Sequence, residues 1–299
     1  MFYLLNKPSG ISSFQAIAKL RKILNIRKVG HTGTLDPLAT GLLLVATGNS
    51  TKLIPYLEKA HKTYVFSFNL DGFTETGDLG SDIRYLPENL VEKIGAKMTE
   101  SDIIRLIEEK FSGKISQIPP KYSAISIDGQ RAYKLARDGK DVVIPERIIE
   151  IFGYKLLEFN FPKITLEMTV SAGTYIRTIA EDIGKSLGLN AYTTMLHRSK
   201  LGELDESGSY SLVLSSGEGG NEVQKSELIE IGYEKLFPDF GKITFDPENV
   251  DKISRGFIIK NTFGLTEGRK YFILDKNGKY ISLIEIENNI LKILSNKID

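Results

Sequence analysis

The sequence predicts an α+β protein, a large body of strand and helix patterns followed by a small β-rich unit of about sixty residues. Three observations carry this. Tyr64, Phe66, Phe68 and Leu70, and again Ile164, Leu166, Met168 and Val170, place apolar side chains at every second position, the period of a strand. Phe14, Ile17, Leu20 and Leu24 recur at helical spacing behind Ser12 and Gln15, which stand at capping-box distance. The last segment carries Asn277-Gly278 and Asn288-Asn289 between apolar runs, where hairpins turn.

In chain order, Phe2 to Leu5 reads as a strand, followed by the turn Asn6-Lys7-Pro8-Ser9-Gly10 and a helix ending near Asn25. Leu42 to Thr47 reads as a buried strand. Gly48-Asn49-Ser50-Thr51-Lys52 lacks the glycine spacing and Gly-Lys pair of a phosphate loop, so it reads as a capped short helix through Leu57. Polar Asp71 to Asp78 precedes a helix capped by Thr99 and Asp102 that runs to Phe111. After Gln117-Ile118-Pro119-Pro120-Lys121-Tyr122-Ser123-Ala124 come a short strand, an Asp128-Gly129 turn and a helix closed by Gly139. Strands follow at Arg147 to Phe152 and Ile164 to Val170, then a turn at Ser171 to Arg177 that opens a helix to near Gly188, and a strand from Met195. Gly202 to Asn221 is a Ser- and Gly-rich surface excursion. Leu228 to Leu236 reads as a helix, Phe237 to Gly241 as a linker, Lys242 to Phe245 as a strand, and Asp246-Pro247 as the start of a helix stopped by Gly256.

At 299 residues, 41% hydrophobic and 26% charged, the chain has the composition of one large globular domain or two unequal ones. It contains no Cys, which excludes disulfides, thiol nucleophiles and Cys-based metal sites and suits a reducing cytoplasm. Met1 to Leu5 is too short for a signal sequence and no apolar run approaches a membrane span, so neither export nor a membrane is expected. There is no dinucleotide fingerprint and no nucleophile elbow, and His31, His61 and His197 are too scattered for a metal site; no cofactor or metal is expected. The net charge of +1 hides an asymmetry. Up to Ala60, Lys7, Lys19, Arg21, Lys22, Arg27, Lys28, Lys52 and Lys59 face only Asp36 and Glu58, which points to a polyanionic partner.

The stretch Gly30-His31-Thr32-Gly33-Thr34-Leu35-Asp36-Pro37-Leu38-Ala39-Thr40-Gly41 stands apart. Its glycines and proline break any helical period, and Pro37 pushes Asp36 towards an extended conformation. A carboxylate on such a loop, against a buried strand, needs a cation or a chemical task. Arg177, in the first turn of a helix where the dipole disfavours a cation, is an Arg placed to answer a carboxylate. A carboxylate with an Arg and a Tyr, in a basic and aromatic setting, suits glycosidic chemistry, as nucleophile or as stabiliser of a sugar cation.

Six blocks occur in one order: Lys7-Pro8-Ser9-Gly10-Ile11-Ser12-Ser13, the Gly30 to Gly41 loop, Lys62-Thr63-Tyr64, Pro119 to Ala124, Gly173-Thr174-Tyr175-Ile176-Arg177 and Leu196-His197-Arg198. Together they closely resemble the bacterial tRNA pseudouridine-55 synthases, from about Phe2 to Gly202. The resemblance implies a mixed, largely antiparallel sheet with flanking helices in a catalytic domain over 1–236, with an RNA-contacting insertion at about 71–140, and a PUA-like RNA-binding domain over 241–299. It implies isomerisation of a flipped-out uridine of the tRNA T loop without a cofactor, by a cytoplasmic monomer that needs no protein partner. By it, Asp36 is the nucleophile, attacking the sugar C1′ or the base C6, and Arg177 pairs with it. Tyr64 stacks on the base and helps remove the C5 proton, Tyr175 and Leu196 line the base pocket, and His31 fills the gap left by the flipped nucleotide. Lys7, Lys52, Lys121 and Arg198 are expected at phosphates. The sequence departs from the common pattern at Ala172, where many relatives have Lys, and at His197, often Arg. Rival readings are a guide-RNA-dependent relative, an N-glycosylase-type enzyme on RNA, and a non-catalytic tRNA chaperone.

Overall fold

An apolar run with no polar alternation is a strand covered on both faces. Leu42 to Ala46 form such a run, fully buried, in the middle of strand β3 (Thr40–Thr47). Beside it lies β1 (Phe2–Lys7), antiparallel and equally buried. One face of the pair, with Tyr3, Leu5, Leu43 and Val45, packs on Ala16, Ile17, Leu20 and Leu24 of helix α1 (Ser13–Leu24), whose capping box joins Ser12 and Gln15 as the spacing predicts. The other face, with Phe2, Leu4, Leu42 and Leu44, meets Phe272, Leu283 and Ile298 from the C-terminal unit.

The computed structural model describes residues 1–123, 126–127, 130–131, 144–211 and 228–298. Its remaining strands are β2 (Val29–His31), β4 (Lys62–Asn69), the short pairs β5 (Gly72–Phe73) with β6 (Arg84–Tyr85), β7 (Gly113–Gln117), the pair β8 (Ser126–Ile127) with β9 (Gln130–Arg131), β10 (Arg147–Asn160), β11 (Lys163–Val170), β12 (Tyr192–Leu201), β13 (Tyr210–Ser211), β14 (Glu230–Ile231), β15 (Gly241–Thr244), β16 (Ile259–Lys260), β17 (Lys270–Leu274), β18 (Tyr280–Glu287) and β19 (Ile290–Asn296). The large sheet runs β13-β1-β3-β12-β4-β11-β10-β7, with β2 on β3 and β14 on β1. Only β1–β13 and β3–β12 are parallel, so the sheet is mixed and largely antiparallel, as expected. Beyond α1 the helices are α2 (Ile54–Leu57), α3 (Glu88–Gly95), α4 (Glu100–Lys110), α5 (Ile176–Ser186), α6 (Tyr233–Leu236) and α7 (Pro247–Ser254). Ile103, Leu106 and Ile107 of α4 and Ile176, Ile179 and Ile183 of α5 cover the aromatic face of β4 and the apolar face of β11.

The C-terminal sheet, β15-β17-β18-β19-β16, encloses its own small cluster with Ile253 of α7. Phe237 and Phe240, expected in a linker, are instead part of an aromatic seam: Phe237 packs edge-on against Phe2 and Phe272, and Phe240 against Phe272. Rings at these positions have more apolar surface to hide than a free linker allows, so the chain is glued down where a hinge was expected. Three further expectations change. Leu228 to Leu236 is a short strand and one helical turn, Gly48 to Leu53 is an uncapped 3-10 turn that leads into α2, and α3 went unseen behind its polar surface. The expected Asp128-Gly129 turn, the helix closed by Gly139 and the second half of the Gly202 to Asn221 excursion lie outside the described residues.

Phe272→Ala removes a ring buried at the centre of the seam and is expected to cost about 3–5 kcal/mol. A urea melt should show a lower midpoint with both sheets lost in one transition. A first transition confined to the C-terminal unit would show that the seam does not couple the two.

Candidate active site

The register of four adjacent strands assembles the site. Gly41 of β3 stands opposite Arg198 of β12, Arg198 opposite Tyr64 of β4, and Tyr64 opposite Met168 of β11. Gly41 has φ +99°, and a Cβ there would lie 2.3 Å from the Arg198 carbonyl oxygen. The glycine is thus clearance for the neighbouring strand of the protein itself.

The loop from Gly33 to Ala39 is held from below by residues of the first block. The Leu35 N–H donates to Ser13 Oγ at 2.8 Å, and that hydroxyl donates to the Leu35 carbonyl at 3.1 Å. The Gly10 N–H donates to the Pro37 carbonyl at 2.9 Å. Lys7 Nζ, on a side chain with 0% exposure, donates to the carbonyls of Pro8 and Ile11 at 2.8 Å and of Pro37 at 3.4 Å. Arg198, 1% exposed, donates from Nε to the Leu42 carbonyl at 2.7 Å and from Nη2 to the Gly33 carbonyl at 3.1 Å. The expectation that Lys7 and Arg198 meet phosphates is therefore corrected. Both are inside, donating to backbone carbonyls of the loop and of the segments that flank it. Burial pulls Lys7 down to about 8, against the attraction of Asp36.

Above this floor Asp36 meets Arg177, as the sequence reading expected. Arg177 Nε is 3.0 Å from Asp36 Oδ2, and Nη2 donates to Oδ1 at 3.3 Å, a two-point contact. Arg177, 4% exposed, also donates from Nη1 to the Thr76 carbonyl and from Nη2 to the Tyr122 carbonyl at 3.1 Å. A second carboxylate, Asp78, lies 3.7 Å from Arg177 Nε. Asp78 Oδ1 is itself held by Thr76 Oγ1 at 2.6 Å and the Gly80 N–H at 2.9 Å. Asp36 keeps 34% of its side chain open. Burial raises its pKa above the usual 3.8; Arg177 and Lys7 oppose the rise and Asp78 adds to it.

Tyr64 and Leu196 are buried in one apolar cluster with Leu35 and Ala39, the loop residues on either side of Asp36. Tyr175 caps the start of α5, two residues before Arg177, and the Arg147 guanidinium lies 4.8 Å from the centre of its ring. His31, half-buried at the end of β2, accepts the Gly33 N–H on Nδ1 at 3.2 Å. Burial and the nearby Arg198 lower its pKa, which favours the neutral ring that this bond requires. Lys121 is exposed on the rim of a cleft of about 630 Å³ beside α5. Lys52 is not brought to the site: its Nζ donates to the Asn296 carbonyl of β19.

Asp78, Gln117 and Arg147 were not foreseen. An Asp in a polar turn carries no signal that it faces an Arg a hundred residues on. Gln117 did leave one, a polar residue closing a strand just before Pro119-Pro120.

Comparison with known proteins matches residues 21–176 to a model described as TruB family pseudouridylate synthase, N terminal domain. The tRNA pseudouridine synthase B of Fusobacterium nucleatum is 45% identical over 199 residues, 67% of each chain. That of Clostridium tetani is 37% identical over 255 residues, 85% of this chain and 84% of that one, and that of Geobacter sulfurreducens 38% over 222 residues, 74% and 71%. Among solved structures, an H/ACA RNP bound to a substrate RNA containing 2′-deoxyuridine superposes with a TM-score of 0.67 at 21% identity, covering 100% of this chain and 85% of that one. A Cbf5-Nop10-Gar1 complex gives 0.67 at 23%, covering 99% and 85%, so the fold is shared far beyond close relatives. With a family model over half its length and relatives of this identity over two thirds and more, the chain belongs to the TruB family of pseudouridylate synthases.

Proposed function

We propose that this protein isomerises a uridine of the tRNA T loop to pseudouridine with Asp36 as nucleophile. The observation that carries the proposal is the Asp36–Arg177 pair at 3.0 Å, a half-open carboxylate fixed on a braced loop in a chain of this family. The relatives' printed name supports tRNA as the substrate. The target base lies inside a folded loop and has to leave its stack to reach a recessed carboxylate.

Asp36 attacks C1′ of the sugar or C6 of the base. The C1′–N1 bond breaks, the uracil turns, C1′ bonds to C5, the bond to Asp36 breaks and frees its carboxylate, the C5 proton leaves to water and N1 takes one up. Every heavy atom of the uridine is conserved. Arg177 fixes the direction of the carboxylate, and its charge opposes protonation. Tyr64 stacks on the uracil and helps remove the C5 proton, while Tyr175 and Leu196 keep water from the turning base. His31, neutral and hydrogen-bonded within the loop, fills the space the uridine vacates. Lys121, exposed at the cleft, meets the RNA backbone. The body up to about residue 236 does the chemistry, and the unit over 241–299 adds RNA contacts. The protein acts as a monomer in the cytoplasm.

Incubation with unmodified tRNA carrying tritium at uracil C5 is expected to release tritium to water and no free base. Free uracil would point to an N-glycosylase, and intact binding without release to a chaperone. Asp36→Asn should abolish release while tRNA affinity stays within about threefold. Because the attacking carboxylate has to be ionised and its pKa is raised, the rate should fall on the acid side with a midpoint above 3.8. A midpoint below that value would mean another group limits the reaction. Arg177→Met leaves Asp36 and Asp78 facing each other without a cation, so it should cost about 3–5 kcal/mol in a denaturant melt as well as the activity.

A further inference from the structure

Gln117 and Arg147 stand opposite each other in the β7–β10 pair, and both reach the same residue. Gln117, 2% exposed, donates from Nε2 to the Tyr175 carbonyl at 3.0 Å and accepts the Tyr175 N–H on Oε1 at 2.8 Å. A side-chain amide bonded to both backbone groups of one residue fixes that residue in position and in rotation. It also supplies partners at a helix start that no side chain of its own caps. Arg147 takes the ring: its guanidinium lies over Tyr175 at 4.8 Å, and its Nη1 fills the space beside Gly173 where a Cβ would come to 3.2 Å. Among the described residues Arg147 Nε and Nη2 are buried without an acceptor, and contact with the ring holds the guanidinium there.

From this geometry we infer that Gln117, with Arg147 opposite it, is a positioning residue for the reaction. The pair grips Tyr175 by backbone and ring and so sets the start of α5, which presents Arg177 to Asp36. The inference rests on the functional reading above and deepens it. The same segment makes a second contact with the machinery, since the Tyr122 carbonyl accepts from Arg177. The strand end at 117–122 therefore fixes both the pocket tyrosine and the arginine. Small displacements at such a distance from the reacting atoms are enough to slow chemistry about a hundredfold.

The test compares three variants by single-turnover tritium release and tRNA binding, below every melting transition. Gln117→Ala is expected to lose about tenfold or more in rate with affinity within about threefold. Leu20→Ala, a core truncation in α1 away from the site, controls for lost stability and should keep its rate. Gln117→Glu is the sharper probe. Ionised, it cannot donate to the Tyr175 carbonyl; protonated, it restores both hydrogen bonds. The charged groups around that position are Arg147 across the pair, Arg177 on α5, and Glu75, Lys121, Glu146, Glu181, Asp182 and Lys185 in the adjoining cleft. At 2% exposure, burial raises the pKa of a carboxyl there, and Arg147 and Arg177 oppose the rise. The ratio of Gln117→Glu to wild-type rate should therefore rise at least about threefold between about pH 8 and pH 6. A Gln117→Ala rate like that of Leu20→Ala, or a flat ratio for Gln117→Glu, would overturn the inference. The functional reading is judged by wild-type turnover and the clamp by these ratios, so each fails separately.

Discussion

The site depends on a buried guanidinium. Taking a charge of this kind out of water costs several kcal/mol unless acceptors surround it, and Arg177 has them on every side: Asp36, Asp78 and the carbonyls of Thr76 and Tyr122. These acceptors come from three separate stretches of chain, the glycine loop, the turn after β5 and the segment after β7. Each has to be in place before α5 can bring the arginine inside. One ion pair thus ties the local order of three loops to a single helix, and a carboxylate that looks like a loop feature in the sequence becomes the meeting point of the fold.

That arrangement sets opposing forces on Asp36. Burial and Asp78 favour its protonated form, and Arg177 and Lys7 favour the charged one. In the proposed role, the opposition serves Asp36 as a nucleophile. A carboxylate stripped of part of its water is more reactive, and a two-point contact with Arg177 leaves its remaining open surface facing one direction. The structural features nearest the reaction are thus those that pull against each other, while the cores behind them are uniformly apolar.

The sequence showed most of the frame because its signals were local. Capping boxes at Ser12 and Thr99, the alternation in β4 and β11, and the Asn-Gly and Asn-Asn turns are set by neighbours in the chain, and the structure agrees at each. Asp36 and Arg177 were legible because a loop carboxylate and a cation at a helix start are each costly alone. What escaped notice was set by partners far along the chain. Lys7 and Arg198 carry the same side chains as surface bases, and only the register that stacks Arg198 beside Gly41 turns them inward. Phe237 and Phe240, beside Pro238 and Asp239, carry the composition of a linker; the apolar face of β1 and β3 makes them core. Gln117 had a cue but no address, because its partner is fixed by the docking of α5.

The inward turn of the basic residues revises what the positive stretch near the N-terminus is for. Lys7 and Lys62 are both buried, and burial lowers each to about 8 from the usual 10.5. A base whose folded pKa is depressed costs stability while it stays charged, and the fold recovers that cost as pH rises from about 8 towards 10.5. Keeping Lys7 charged is therefore a cost to the fold at neutral pH. What the charge supplies is attraction for Asp36, which otherwise sits closer to protonation beside Asp78. The positive charge of this region acts first on the protein's own carboxylate, from below, and only the bases still at the surface remain for a polyanion.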